Sequence, residues 1–216
     1  MLTKFFKRGE KGITGLETAI ILIAFVVVAA VFAYTTLSAG LFSTQKSQEA
    51  VYAGLKEARS TLEPKGGVIA VAEAVGDSGT IGQVKFTVSS VLGGEAIDFT
   101  PPTANTTSNN GLADTNSTNK VVISYVDQDQ ERVDLYWTIT KLGGSDDDSL
   151  LEQNEKFKIT VGNSANGTGG GNLIDALSTD LTVNKTFSLI VSPPNGATLE
   201  VERTTPAYID TIMNLH

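Results

Sequence analysis

The sequence predicts an α+β protein: one long N-terminal hydrophobic α-helix followed by an antiparallel, Ig-like β-sandwich or barrel. Three observations carry that expectation. Thr18–Gln45 contains no charged residue, and a helical spacing of apolar side chains continues beyond it to Leu62. After Pro64 the apolar period changes from near 3.6 to 2. The implied organisation is a basic leader over residues 1–12, a hydrophobic helix over 13–63 and a sandwich over 64–216.

Charge follows the same partition. Lys4, Lys7, Arg8 and Lys11 against Glu10 give the leader +3, residues 13–63 carry −1, and residues 64–216 hold −10, for a net −8. The charge-free run, which reads AIILIAFVVVAAVFAY in its first part, exceeds the roughly 20 residues that span a bilayer core. A basic leader holds the N-terminus in the cytoplasm by the positive-inside rule, so the acidic part is expected outside. Val51, Leu55, Ala58 and Leu62 continue one helix face, and Pro64-Lys65-Gly66-Gly67 is expected to stop the helix. Ile13–Glu63 is 51 residues, about 75 Å of helix. A simple anchor needs only the first half of that length. A helix that sits first in a bilayer and then packs against copies of itself uses all of it.

Beyond Pro64, the segments Gln83–Leu92, Lys120–Tyr125, Arg132–Thr140, Lys156–Val161, Lys185–Val191 and Ala197–Arg203 alternate as strands do, and Val68–Val75 does so more weakly. Six or seven short strands separated by Gly, Asn, Asp and Pro clusters predict an antiparallel sandwich. Val133, Leu135, Trp137 and Ile139 form the expected inward set of one strand. Trp137 belongs to the core on this reading, because large aromatics dominate cores.

Composition excludes most chemistries. The absence of Cys removes disulfides, thiol catalysis and thiolate metal sites. The lone His, His216, removes a Ser-His-Asp triad and His-rich metal sites. A net charge of −8 opposes nucleic-acid binding. Asp127, Asp129 and Glu131 begin the alternation of a calcium loop, but Arg132 stands where that loop needs Gly; a hairpin turn fits better. Asp146–Asp148 reads as a solvated turn. These clusters leave open a peripheral divalent cation, and no resident cofactor is expected. Gly162–Gly171 is Gly-rich without a Gly-Lys-Ser/Thr ending, so it is a flexible surface loop and not a phosphate cradle. Asn-x-Ser/Thr sequons stand at Asn105, Asn116, Asn166 and Asn184, the last directly before a strand and expected to be less accessible.

The N-terminal segment fits a secretory signal cut near Ala33 or Ala39, a retained anchor, or a leader cut ahead of the apolar run. The junction Lys11-Gly12-Ile13-Thr14-Gly15-Leu16-Glu17-Thr18-Ala19-Ile20 resembles the class III leader of type IV pilin-like proteins, and the run on through Phe32 resembles archaeal flagellins (archaellins). The segment Val191–Pro206, with Pro193-Pro194-Asn195-Gly196 and Arg203-Thr204-Thr205-Pro206, resembles the C-terminal end of the same family, where a Pro/Gly turn joins the last two strands. Residues 93–120 and 141–180 carry no recognised motif.

The resemblance implies cleavage between Gly12 and Ile13 by a prepilin-peptidase-like membrane protease, transient single-pass membrane insertion, and polymerisation into an extracellular motility filament, the archaellum. The subunit would be a structural protein and not an enzyme. The filament would be a homopolymer or a copolymer with paralogous subunits. Its partners would be the peptidase and the archaellum assembly and motor machinery, with no nucleic acid. Ile20, Leu22, Phe25, Val28 and Phe32 would lie in the helical filament core, and the sequons would be N-glycosylation candidates. Glu17 would become the fifth mature residue, near the positive end of the helix where a carboxylate is favoured. Type IV pilins share that Glu while many archaellins do not. An adhesive pilin therefore remains an alternative, as does a membrane-anchored extracellular binding protein or hydrolase.

Overall fold

The computed structural model describes residues 10–91 and 95–215. Leader residues 1–9 and His216 lie outside the described residues. The chain divides into two compact units, Met1–Ala53 and Gly54–His216.

The first unit belongs to helix α1, Glu10–Arg59, whose last turns enter the second unit. Ile, Val and Thr are only moderate helix formers, so propensity alone does not explain α1. An apolar segment must satisfy its backbone internally, and the helix does so completely. At the other end, Ser60 and Thr61 turn their hydroxyls back onto the last carbonyls. Ser60 Oγ donates to Lys56 O (3.1 Å) and Thr61 Oγ1 to Ala58 O (2.9 Å). Such local bonds compete with helix propagation. The helix therefore ends at Arg59, and Leu62–Pro64, expected within the helix and its stop, form a strand instead.

The second unit contains β1 Leu62–Pro64, β2 Val68–Ala74, β3 Thr80–Ser90, β4 Ile97–Asp98, β5 Val122–Asp127, β6 Glu131–Arg132, β7 Trp137–Leu142, β8 Leu150–Leu151, β9 Lys156–Val161, helix α2 Leu173–Ala176, β10 Thr186–Ser192, β11 Leu199–Thr204 and β12 Ile212–Leu215. One sheet has the order β12-β2-β3-β9-β7, with β1 also pairing β3; a second runs β11-β10-β5-β6; β4 and β8 pair separately. Every named pairing is antiparallel. Alternation directs Val84, Phe86, Val88, Phe157, Ile159 and Val161 of the first sheet inward, and Ile123, Tyr125, Phe187, Leu189, Val191 and Val201 of the second. All belong to one hydrophobic cluster. Each large buried side chain stabilises the domain by roughly 1.5–3 kcal/mol before entropy is counted. Trp137 is fully buried as expected, with Phe99 edge-on at 6.0 Å, and Phe99 meets Phe157 edge-on at 6.1 Å.

Several expectations are corrected. Arg132–Thr140 is not one strand: Asp134 adopts φ 58°, a left-handed conformation that breaks the alternation between β6 and β7. Leu135 and Trp137 consequently face the core, while Val133 is 58% exposed. The Gly162–Gly171 loop is not loose at its base. Gly162, Gly170 and Gly171 are buried, and Gly111 N donates to Gly170 O and Asn163 N to Gly171 O, at 2.8 and 2.9 Å. Gly171 has φ 84°, and a Cβ there would collide with the Asn109 carbonyl, so glycine is required for the close approach. Pro193–Gly196 does join β10 to β11, but these are not the last strands, because β12 follows and pairs with β2.

Past β11, Thr205 is 2% exposed and acts as a latch. Its Oγ1 accepts from Lys185 N (2.9 Å) and donates to Thr182 O (2.6 Å), holding the chain against the segment leading into β10.

Candidate functional site

The surface that sets this chain apart is α1 itself. Ile20, Ile21, Leu22 and Ile23 are consecutive, and at 100° per residue they place apolar side chains on every side of the helix. All of Ile20, Leu22, Phe25, Val28 and Phe32 are exposed; Phe25 is 75% exposed and Phe32 71%. A helix that is apolar all round belongs inside a membrane or a protein core. Among the described residues, this is the one helix long and apolar enough to cross a membrane.

Its polar groups are adapted to the same environment. Thr18 Oγ1 donates to Gly15 O, Thr35 and Thr36 both to Phe32 O, and Thr44 to Gly40 O, at 2.7–3.2 Å. Each hydroxyl proton is thereby satisfied within the helix and needs no water. Ala24, Ala29, Ala30, Ala33, Ala39 and Gly40 leave low ground on the surface for another helix to approach. Charged side chains resume at Lys46, which pairs with Glu49 at 2.6 Å. Gly12 and Ile13 fall in the first turns of α1, and Glu17 is exposed one turn further on.

The acidic turns are held by hydrogen bonds. Asp127 Oδ1 accepts from Asp129 N (2.7 Å) and Gln130 N (2.9 Å), while Oδ2 accepts from the Tyr125 hydroxyl (2.7 Å) and Gln130 Nε2 (3.3 Å). Partial burial pushes the Asp127 carboxyl up, but these donors outweigh it and hold the group below the usual carboxylate range. Burial and the adjacent Asp127 push the Tyr125 phenol up. Asp129 receives Lys185 Nζ at 2.8 Å, which raises the Lys185 pKa. Asp127–Glu131 thus form the hairpin turn expected between β5 and β6. Asp146, Asp147 and Asp148 are exposed, and the buried Glu155 fastens their loop by accepting from Asp146 N and Glu152 N, each at 3.0 Å. No group of three or more metal-ligating side chains is gathered among the described residues.

Asn116 and Asn166 are exposed and Asn105 half-buried. Asn184, expected to be the least accessible sequon, is exposed, because its φ of 53° turns it outward ahead of β10. The sequence reading missed Asn172, fully buried at the start of α2. Its side chain accepts from Ile174 N and donates to Glu73 (3.1 Å), while Asp175 accepts from its backbone. The spacing Asn172-x-x-Asp175 is a readable capping signal that was overlooked because the helix it starts is so short.

With this arrangement in view, comparison with known proteins is informative. The archaeal-type flagellin family model matches residues 12–203. "Probable flagellin 1" of Archaeoglobus fulgidus is 37% identical over 227 aligned residues covering 97% of each chain. "Probable flagellin 2" of the same organism is 39% identical over 207, covering 93% of this chain and 92% of the relative. Among solved structures, the archaeal flagellum of Methanospirillum hungatei strain JF1 superposes with a TM-score of 0.60 at 29% identity, covering 93% of this chain and 98% of that one. Helix, sandwich and both chain-wide relatives agree: the chain belongs to the archaeal-type flagellin family and is a structural subunit of the archaeal flagellar filament.

Proposed function

We propose that the chain is made as a membrane-held precursor, cut between Gly12 and Ile13 by a prepilin-peptidase-like protease, and polymerised through α1 into the extracellular motility filament. The observation that carries this route is a helix exposed along Gly15–Ala58 that carries no charge from Thr18 to Gln45 and presents apolar side chains on every side in its first part. In the precursor, lipid covers that surface. Assembly exchanges lipid for neighbouring helices, so apolar area stays out of water throughout. Removing the leader leaves residues 13–216 and takes away its +3 charge, which would otherwise hold the N-terminus at the cytoplasmic face. The lift itself requires the assembly and motor machinery as a partner. The domain needs no bound cofactor for this role, and the exposed sequons at Asn116, Asn166 and Asn184, with the half-buried Asn105, are candidates for glycan attachment outside the cell.

Mass-spectrometric reading of the mature N-terminus tests the route. Ile13 is the expected first residue; Tyr34 or Gly40 would show an ordinary secretory cut and overturn it. Gly12→Val is expected to leave unprocessed subunit in the membrane and to abolish filaments and swimming.

A further inference from the structure

We propose that the two outer faces of the sandwich form one repeating, charge-matched contact between copies of this chain, the lysine face of one copy seating on the glutamate face of the next. The inference rests on the filament reading above and specifies which surfaces of the outer domain meet.

Strand register defines the two faces. On the outer side of the first sheet, Lys85 lies beside Thr160, itself beside Thr138, and Lys158 lies between Thr87 and Thr140. Lys156 follows on the same side and is exposed, while Lys85 and Lys158 are half-buried. Among the described residues none of these lysines has a carboxylate within ion-pair distance. Glu63, in the same outer register, is neutralised locally by Lys65 at 2.8 Å. On the outer side of the second sheet, Glu200 lies beside Ile190 and Ser124. Glu202 lies beside Ser188, then Val126, then Glu131. The three glutamates are exposed and equally without cationic partners among the described residues.

Residues 64–216 carry −10, so a strand face holding three unpaired lysines is not what composition alone would produce. Each face also carries apolar ground: Ile69 (40% exposed) and Ile212 (65%) on one, Val126 and Ile190 on the other. The inner sides of both sheets share one core, so the faces point away from each other and cannot pair within a copy. Between copies the contact is heterologous, and a heterologous contact that does not close propagates as a filament. Opposed charges set its register and make it salt-sensitive over the roughly 10 Å Debye length at 0.1 M.

Purified wild-type filaments treated with a water-soluble carbodiimide test the contact, since the reagent joins an amine to a carboxylate only where the two touch. The expected products are peptides linking Lys85, Lys156 or Lys158 to Glu131, Glu200 or Glu202, necessarily between copies. Lys156→Glu/Lys158→Glu filaments are expected to lose these links at least tenfold and to release subunits at lower salt. Glu200→Lys/Glu202→Lys filaments should weaken likewise, and the combined four-site swap should restore assembly. Links from these lysines only to other carboxylates or to a different protein would overturn the proposal. So would half-swapped filaments as robust as wild type, or a four-site swap that fails to rescue. Absence of the wild-type chain from filaments would instead overturn the filament reading itself.

Discussion

At the scale of single residues, the half-buried Asp127 carboxylate does more for the outer domain than its place in a surface turn suggests. It gathers four donors and so shapes the whole β5–β6 turn. Its folded pKa lies below the ordinary value, so the stabilisation is fully present above the unfolded pKa of about 4 and is lost as pH falls through the folded value. Amide exchange at Asp129 and Gln130, whose N–H groups bond to Asp127 Oδ1, is therefore expected to accelerate on acidification below pH 4. Asp127→Asn should abolish that acid step and cost about 1–2 kcal/mol at neutral pH, because with its oxygen kept by the Asp129 and Gln130 N–H groups, the NH2 that replaces Oδ2 cannot accept from Tyr125 or Gln130 Nε2. Unchanged exchange across the acid range would contradict this.

At the scale of elements, period decided what could be read in advance. Lys156–Val161 alternates without interruption and lies in the middle of a sheet, so its bounds were recoverable from sequence alone. β1, β4 and β8 are two or three residues long and β12 only four. No periodicity can accumulate over so few positions, and tertiary pairing alone creates them. The break at Asp134 was hidden for a different reason: Val133, Leu135 and Trp137 keep the alternating pattern while the backbone does not. Asp134→Gly is expected to leave thermal stability within about 0.5 kcal/mol of wild type, whereas Asp134→Val should cost about 1–2 kcal/mol, since only the β-branched residue resists a left-handed backbone. Melting curves of the detergent-held full chain distinguish them. Of the functional surface, α1 was legible through its charge-free run. The outer lysine and glutamate faces were not, because they exist only once strands distant in sequence are laid side by side.

At the scale of the whole molecule, two units solve separate problems. The sandwich closes its own core with an aqueous exterior, and α1 keeps an apolar exterior that only lipid or other copies can cover. Their separate solvent requirements explain why average composition, at 41% hydrophobic residues, looks unexceptional: a stem with a charge-free, largely apolar first half is averaged with a strongly acidic domain. The sandwich is dominated by non-local antiparallel pairs, and such topologies fold in milliseconds to seconds. Trp137, the sole tryptophan and fully buried, reports closure of the core. Its fluorescence is expected to recover on that timescale when the detergent-held chain is refolded. A single microsecond phase would contradict it.

The pairing of β12 with β2 has a consequence for how a subunit comes into being. Residues 68–71 are matched with residues 212–215, more than 140 positions later. A chain threading outward as it is synthesised exposes β2 long before its edge partner exists, and an uncovered edge is an invitation to pair with a stranger. On the proposed route each nascent subunit is moored by its own α1 in the bilayer during that interval, diluted in two dimensions from its siblings. On that route the mooring gives β12 the time to seal β2 before a subunit meets the growing filament.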